Sequence, residues 1–326
     1  MKDRIDTYLK KDKRIIYYII IALVVIALGA GPFYMDVDTS FTAYYLFICF
    51  IYIVLAQGWN LVAGYTGQIS LGSHAFFALG AYTTAIIWVQ DITKTWYYFD
   101  PLVMVLSGII PAIFAIIIGI PLLSRLRGDY FSFGTLAAAE VLRVLILRGG
   151  DFTKGAGGIR LPGSCFESME PYYWVGLLLA ILATAAVYYV TRSRIGLALK
   201  ALREDETSAA SHGIHILRYK VLAFAIGSFL MGLVGSLYAY YLFMVQPNGV
   251  MNLNWMFLPI LICVLGGNGT ILGPIIGSFI IAALFSYADI YVGQVHPMVS
   301  GVIIILVMKF MPTGIMGLKE KISPRR

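Results

Sequence analysis

Apolar residues run in long, nearly unbroken stretches from end to end of this chain, and polar residues gather in short intervals between them. A bilayer core of about 30 Å needs about 20 apolar residues per helix, and stretches of that length recur throughout. They predict ten spans: Ile15–Phe33, Phe41–Ala63, Ile69–Val89, Pro101–Leu123, Tyr130–Leu147, Tyr172–Val190, Val221–Val245, Met251–Leu265, Ile271–Ile290 and Met298–Phe310. The predicted fold class is an all-α polytopic membrane protein with its N-terminus and C-terminus inside. One transmembrane domain covers residues 15–318, between a cytoplasmic segment 1–14 and a cytoplasmic tail 319–326.

Charge supports this arrangement. Of 24 Lys and Arg residues, those before Ile15, Arg125, Arg127, those between Thr191 and Lys220, and those from Lys309 onward fall on the predicted inner side. Lys94, Arg148, Lys154 and Arg160 fall outside, and Arg143 lies within a span. Basic residues concentrate on the cytoplasmic side of membrane proteins. The outer loops MDVDTS and DITKTWYYFD are acidic, and the second is rich in the aromatic residues of a headgroup belt. The N-terminal apolar run is too long for a signal-peptide core and no small-residue cleavage site follows it, so it reads as a retained span.

Composition narrows the function. The chain has 326 residues, 60% hydrophobic and 13% charged, with a net charge of +7 lying outside the apolar runs. That charge reports topology, not nucleic-acid binding. Cys49, Cys165 and Cys263 are scattered, which argues against a disulfide framework or a metal site. No Gly-x-x-x-x-Gly-Lys-Ser/Thr loop is present, so ATP would have to act through another chain. No His-Glu-x-x-His or Gly-x-Ser-x-Gly pattern suggests catalysis, and no cluster of intramembrane acids suggests a proton relay.

Two segments interrupt the plain spans. The stretch QGWNLVAGYTGQISLGSHAFFALGAY (57–82) carries Gln57, Asn60, Gln68 and His74 among five glycines, and VLGGNGTILGPIIG (264–277) carries Gly266, Gly267 and Asn268. They share a loose Gly-x-x-Gly-x-Ile pattern: Gly64, Gly67, Ile69 and Gly266, Gly269, Ile271. Paired Gly- or Pro-interrupted segments are where transporters build a pathway from broken or re-entrant helices. Small residues also let helices approach closely, which accounts for most of the glycines. Gln57, Asn60, Gln68, His74, Gly266, Gly267 and Asn268 are the candidate substrate-pathway residues. Glu140 and Arg143, three apart in the fifth span, read as a structural ion pair on one helix face. The Gly-rich outer loop RGGDFTKGAGGIRLPG (148–163) reads as a connector over the mouth.

The long charged interval Thr191–Lys220 either only sets orientation or presents a short helix to a soluble partner. Arg203, Glu204, Asp205, Glu206, Ala209, Ala210 and Gly213 favour the second: small residues form a flat surface and charges fix register.

Three runs resemble a known family: GWNLVAGYTGQISLGSHAFFALGAYTTA (58–85), RLRGDYFSFGTLAAAEVLR (125–143) and SRIGLALKALREDETSAASHGI (193–214), with LGGNGTILGPIIGSFI (265–280) and PTGIMGL (312–318) also fitting. The chain is similar to the permease subunits of branched-chain amino acid ATP-binding cassette importers, and more to the longer of the two permeases. The resemblance implies a second, homologous permease and two cytoplasmic ATPases carrying ATP and Mg, with no cofactor in this chain. It also implies an extracytoplasmic binding protein delivering leucine, isoleucine or valine across the cell membrane, and residues 191–220 as the ATPase-coupling loop. Related importers of urea or short amides share these motifs. A secondary carrier without an ATPase, or a membrane enzyme or assembly factor, are the alternatives from other classes. One departure is visible: a Thr-Gly-Gly-x-x-Gly-like segment is expected where this chain reads Thr153-Lys154-Gly155-Ala156-Gly157-Gly158.

Overall fold

The computed structural model describes residues 23–90, 100–126, 128–161 and 168–292, together with 302, 305, 306, 309 and 314–317. The expected cytoplasmic segment 1–14, the start of the first span, most of the tenth span, Cys165 and the tail 319–326 lie outside the described residues.

The apolar runs form helices. They are α1 (Leu23–Tyr34), α2 (Phe41–Trp59), α3 (Ser73–Val89), α4 (Pro101–Arg125) and α5 (Asp129–Arg148). After the short α6 (Gly150–Thr153) come α7 (Glu170–Arg192), α8 (Arg194–Glu204), α9 (Glu206–Ser211) and α10 (Ile216–Leu242). The series closes with α11 (Pro247–Val250), α12 (Asn254–Gly266) and α13 (Leu272–Val292). Six of the spans traced, counting the π-helical end of α2 and the joined α11–α12, are long and apolar enough to cross a bilayer, and α1, α3 and α13 add shorter apolar helices. Local chemistry sets several boundaries. Pro101 opens α4 behind Asp100, whose carboxylate accepts from Leu102 N at 2.9 Å. Ser193 caps α8 through Ile195 N, and Asp205 caps α9 through Ser208 N at 2.6 Å.

Helices α2 and α10 form the centre. The apolar window of α2 is 89% buried and that of α10 67%, against 33–39% for α4, α5 and α7. Close packing follows from glycine. A Cβ on Gly80 of α3 would strike the backbone of Gly232 on α10, and one on Gly58 of α2 would lie 2.7 Å from Gly227 O. Hydroxyls add hydrogen bonds where no water competes: Thr84, Ser107 and Ser236 join α3, α4 and α10 at 2.7–2.8 Å.

Three local features depart from plain spans. The expected span Ile69–Val89 begins as helix only at Ser73, because Gly67 to Gly72 form a loop whose polar groups bond across to α5. Ser132 Oγ donates to Ile69 O at 2.7 Å, and Leu71 N donates to Thr135 Oγ1 at 3.0 Å. The end of α2 widens into a π turn, Asn60–Gly64. At the other end of the bundle, β1 (Ile159–Arg160) pairs antiparallel with β2 (Met244–Val245), an element the apolar pattern does not signal.

The outer-loop departure has a backbone consequence. Lys154 stands at φ +57°, the left-handed region a glycine occupies freely, where the family resemblance leads one to expect glycine.

Candidate functional site

The two Gly-rich segments meet. Asn60 on the π turn spends its whole amide on the loop between α12 and α13: Nδ2 donates to Thr270 O at 2.8 Å, and Oδ1 accepts from Gly269 N at 2.8 Å. Gln57, one turn earlier, donates from Nε2 to Ile271 O at 2.9 Å. Both side chains are fully buried. Gly64 sits against this loop, since a Cβ there would lie 2.7 Å from Gly269 N and 2.8 Å from Asn268 Oδ1. The repeated pattern is also repeated in conformation. Gly67 has φ +74° and Gly269 φ +78°, the same position of Gly-x-x-Gly in each copy.

The polar pair α8–α9 is fastened onto this junction. Arg203 Nη1 donates to Gly64 O at 2.5 Å. One oxygen of Glu206, Oε1, takes the Lys220 ammonium at 2.5 Å and the Gln68 amide at 3.2 Å. Lys220 lies in the second turn of α10 and is 2% exposed, so its charge needs this carboxylate; an unpaired buried ammonium costs several kcal/mol. Gly314 and Met316 close the far side, with Gly267 packed against both.

The sequence-predicted residues therefore divide. Gln57, Asn60, Gln68, Gly266, Gly267 and Asn268 gather at the end of the bundle that carries α8 and α9. There Gln57 and Asn60 bond the backbone of the loop between α12 and α13, and Gln68 bonds the Glu206 carboxylate. His74 is apart from them, in the first turn of α3, fully buried, with neither ring nitrogen hydrogen-bonded among the described residues. Of the charged interval, Arg203 reaches the bundle with its guanidinium although the residue is exposed, and Glu206 is half-buried, whereas Glu204, Asp205, Ala210 and Gly213 are exposed and make no such contact inward among the described residues. Ala209 does not share the flat outer surface: it is 4% exposed and packs inward. Asp205 is occupied as the α9 cap. Gly213 ends the turn at φ +81°, with open space where a side chain would be. Glu140 and Arg143 pair at 3.6 Å along α5, with side chains 45% and 35% exposed and so outside the bundle core.

Sequence reasoning missed two features. Lys220 was legible only as the last basic residue of the charged interval; its signal was position, directly before the predicted span Val221–Val245. A cavity of about 470 Å³ between α2, α10, α12 and α13 was not legible. Tyr44, Tyr52, Tyr238, Asn252, Trp255 and Phe285 line it, from four separated parts of the chain. Phe77 stacks on Trp255 at 4.4 Å beneath it.

Six helices long and apolar enough to cross a bilayer, with a polar helix pair fastened at one end, define a multi-pass helical membrane protein. The family profile "Branched-chain amino acid transport system / permease component" matches residues 41–308, and the chain belongs to that family. It is 28% identical to the high-affinity branched-chain amino acid transport system permease protein LivM of Escherichia coli, over 91% of this chain and 74% of that one. It is 25% identical to the probable LivM of Methanocaldococcus jannaschii over 68% and 70% of the two chains. It is 26% identical to the LivH permease of Escherichia coli over 82% and 92%. No solved structure matches.

Proposed function

We propose that this chain is the longer permease subunit of an ATP-driven importer that carries leucine, isoleucine or valine across the cytoplasmic membrane. It acts with a second, homologous permease, two cytoplasmic ATPases and an extracytoplasmic binding protein. The observation that carries this is the fastening of α8–α9: Arg203 and Glu206 reach inward to Gly64, Gln68 and Lys220, while Glu204, Thr207, Ser208 and Ala210 remain exposed. An exposed face on a helix pair that is bonded to the first broken-helix segment and to α10 is suited to pass a push from a soluble partner into the spans. Rigid-body gating of this kind is how alternating access works around a fixed path.

Similarity to both LivM and LivH proteins supports a partnership of two related permeases. ATP and Mg belong to the ATPases, since this chain carries no P-loop.

The test is uptake in proteoliposomes holding both permeases and both ATPases, with the binding protein added outside the permease mouth. Labelled leucine should accumulate only with ATP and the binding protein together. Accumulation by this chain alone, without ATP, would replace the importer with a secondary carrier.

A further inference from the structure

Glu140 and Arg143 stand in a place that lipid does not tolerate. Helix α5 has 20 residues and the length and composition of a membrane span. At 1.5 Å per residue, Glu140 lies about 16 Å from one end and about 12 Å from the other. Its side chain is 45% exposed and that of Arg143 35% exposed in the single chain. Charges at this depth cost about 2.5–3.5 kcal/mol each on insertion scales, and they face protein or a watery cavity, not acyl chains. Among the described residues of the spans, Glu140, Arg143 and Lys220 are the charges more than a turn from a helix end, and Lys220 is committed to Glu206.

The pair is only partly satisfied. Its Nη1–Oε2 separation is 3.6 Å, wider than a good charge-assisted hydrogen bond. Arg143 also donates from Nη2 to Asn248 of α11 at 3.2 Å, and its Nε is buried without a partner among the described residues. Helix α3 packs on α5. Both ring nitrogens of His74 are likewise buried and unbonded among the described residues. By contrast, no residue lining the aromatic cavity carries a charge.

Resting on the importer function proposed above, we infer that Glu140 and Arg143 form a mid-membrane subsite for the charged end of an α-amino acid. Glu140 meets the ammonium and Arg143 meets the carboxylate. A carboxylate and a guanidinium side by side are complementary to a zwitterion and to neither a simple cation nor a simple anion. The aliphatic side chain of the solute then needs only an apolar wall, which Val141, Val144 and Leu145 of the same helix offer at 50–62% exposure. This places the path along the exposed face of α5, where the second permease would close it.

The experiment uses the complete reconstituted importer, with Glu140→Gln and the charge swap Glu140→Arg/Arg143→Glu. Assembly, leucine uptake and ATP hydrolysis are read together. Both variants should assemble and hydrolyse ATP while uptake falls roughly 10- to 100-fold, the range for one lost charge-assisted hydrogen bond. A structural ion pair would instead be restored by the swap, so wild-type uptake in the swap overturns the subsite, as does wild-type uptake in Glu140→Gln. Loss of assembly in both variants makes the pair a clamp between subunits and overturns it too. A wild-type importer that moves only an uncharged solute overturns the subsite together with the function beneath it. Leucine uptake by wild type with unaffected variants overturns the subsite alone.

Discussion

The ammonium of Lys220, 2% exposed at the start of α10, rests 2.5 Å from Glu206 at the start of α9. This contact ties a helix outside the spans to the most connected helix within them. Removing one member strands the other.

Glu206→Ala therefore leaves a buried, unpaired ammonium, and the cost expected is on the order of 3 kcal/mol. Glu206→Met/Lys220→Met removes both charges and should recover most of it. Thermal unfolding of the purified protein in detergent measures both. Equal losses in the single and double variants would mean that the pair does not hold α9.

Arg203 reaches Gly64 O from α8, and a lysine cannot reproduce the planar guanidinium donor. Arg203→Lys should leave insertion and ATP hydrolysis in place and lower uptake roughly tenfold, the loss of one hydrogen bond to a charged group. Uptake and hydrolysis falling together would show instead that the variant weakens the whole assembly.

The paired glycines make a graded prediction. Gly67 and Gly269 both lie at positive φ, where alanine costs about 1–2 kcal/mol. Gly67 has room for a methyl group, its nearest neighbour being Arg203 Cγ at 3.6 Å. A methyl group on Gly269 would overlap the Arg203 guanidinium and lie 2.8 Å from Gly64 O. Gly269→Ala should thus destabilise more than Gly67→Ala, and only Gly269→Ala should be eased by Arg203→Ala. Equal effects would detach the two turns from each other.

Much of the fold was legible because bilayer-length apolar runs leave few alternatives. Gln57, Asn60 and Gln68 stood out because amides at depth need partners. The sequence could not name those partners, which lie 138 to 214 residues away: Glu206 for Gln68, Thr270 for Asn60 and Ile271 for Gln57. The polarity that marks these residues as pathway candidates in sequence is, in three dimensions, partly engaged: Gln57 and Asn60 bond loop backbone and Gln68 bonds the Glu206 carboxylate. Ala209 and Ala210 look alike in sequence, and only the rotation of α9 sends one inward. The late start of α3 depends on Ser132 and Thr135 of α5 holding Ile69 and Leu71 in a loop, a contact that local pattern does not carry.

Lys154 at φ +57° gives a local check. Its ion pair with Asp151 is exposed, at 3.3 Å, and contributes little. Lys154→Gly should therefore not destabilise, in contrast to most glycine substitutions, and relief of the left-handed strain should add up to about 1 kcal/mol. A loss of more than about 1 kcal/mol on thermal unfolding would show that the lysine side chain, not the backbone, matters there.

Gly213 turns the chain after α9 at φ +81° with open space around it. Gly213→Asn keeps a residue that tolerates this conformation, whereas Gly213→Trp adds bulk to the exposed face. Asparagine should preserve uptake, and tryptophan should abolish ATPase docking while the permease still inserts. Normal ATP-dependent uptake with tryptophan would remove this face from the coupling role.

The most direct measurement is purification of this chain from its native membrane in mild detergent, with its partners identified by mass spectrometry. The expected result is a second polytopic permease and P-loop ATPases in stable association. Recovery of this chain alone, active in transport after reconstitution without ATP, would contradict the importer and leave α8–α9 as a topology signal.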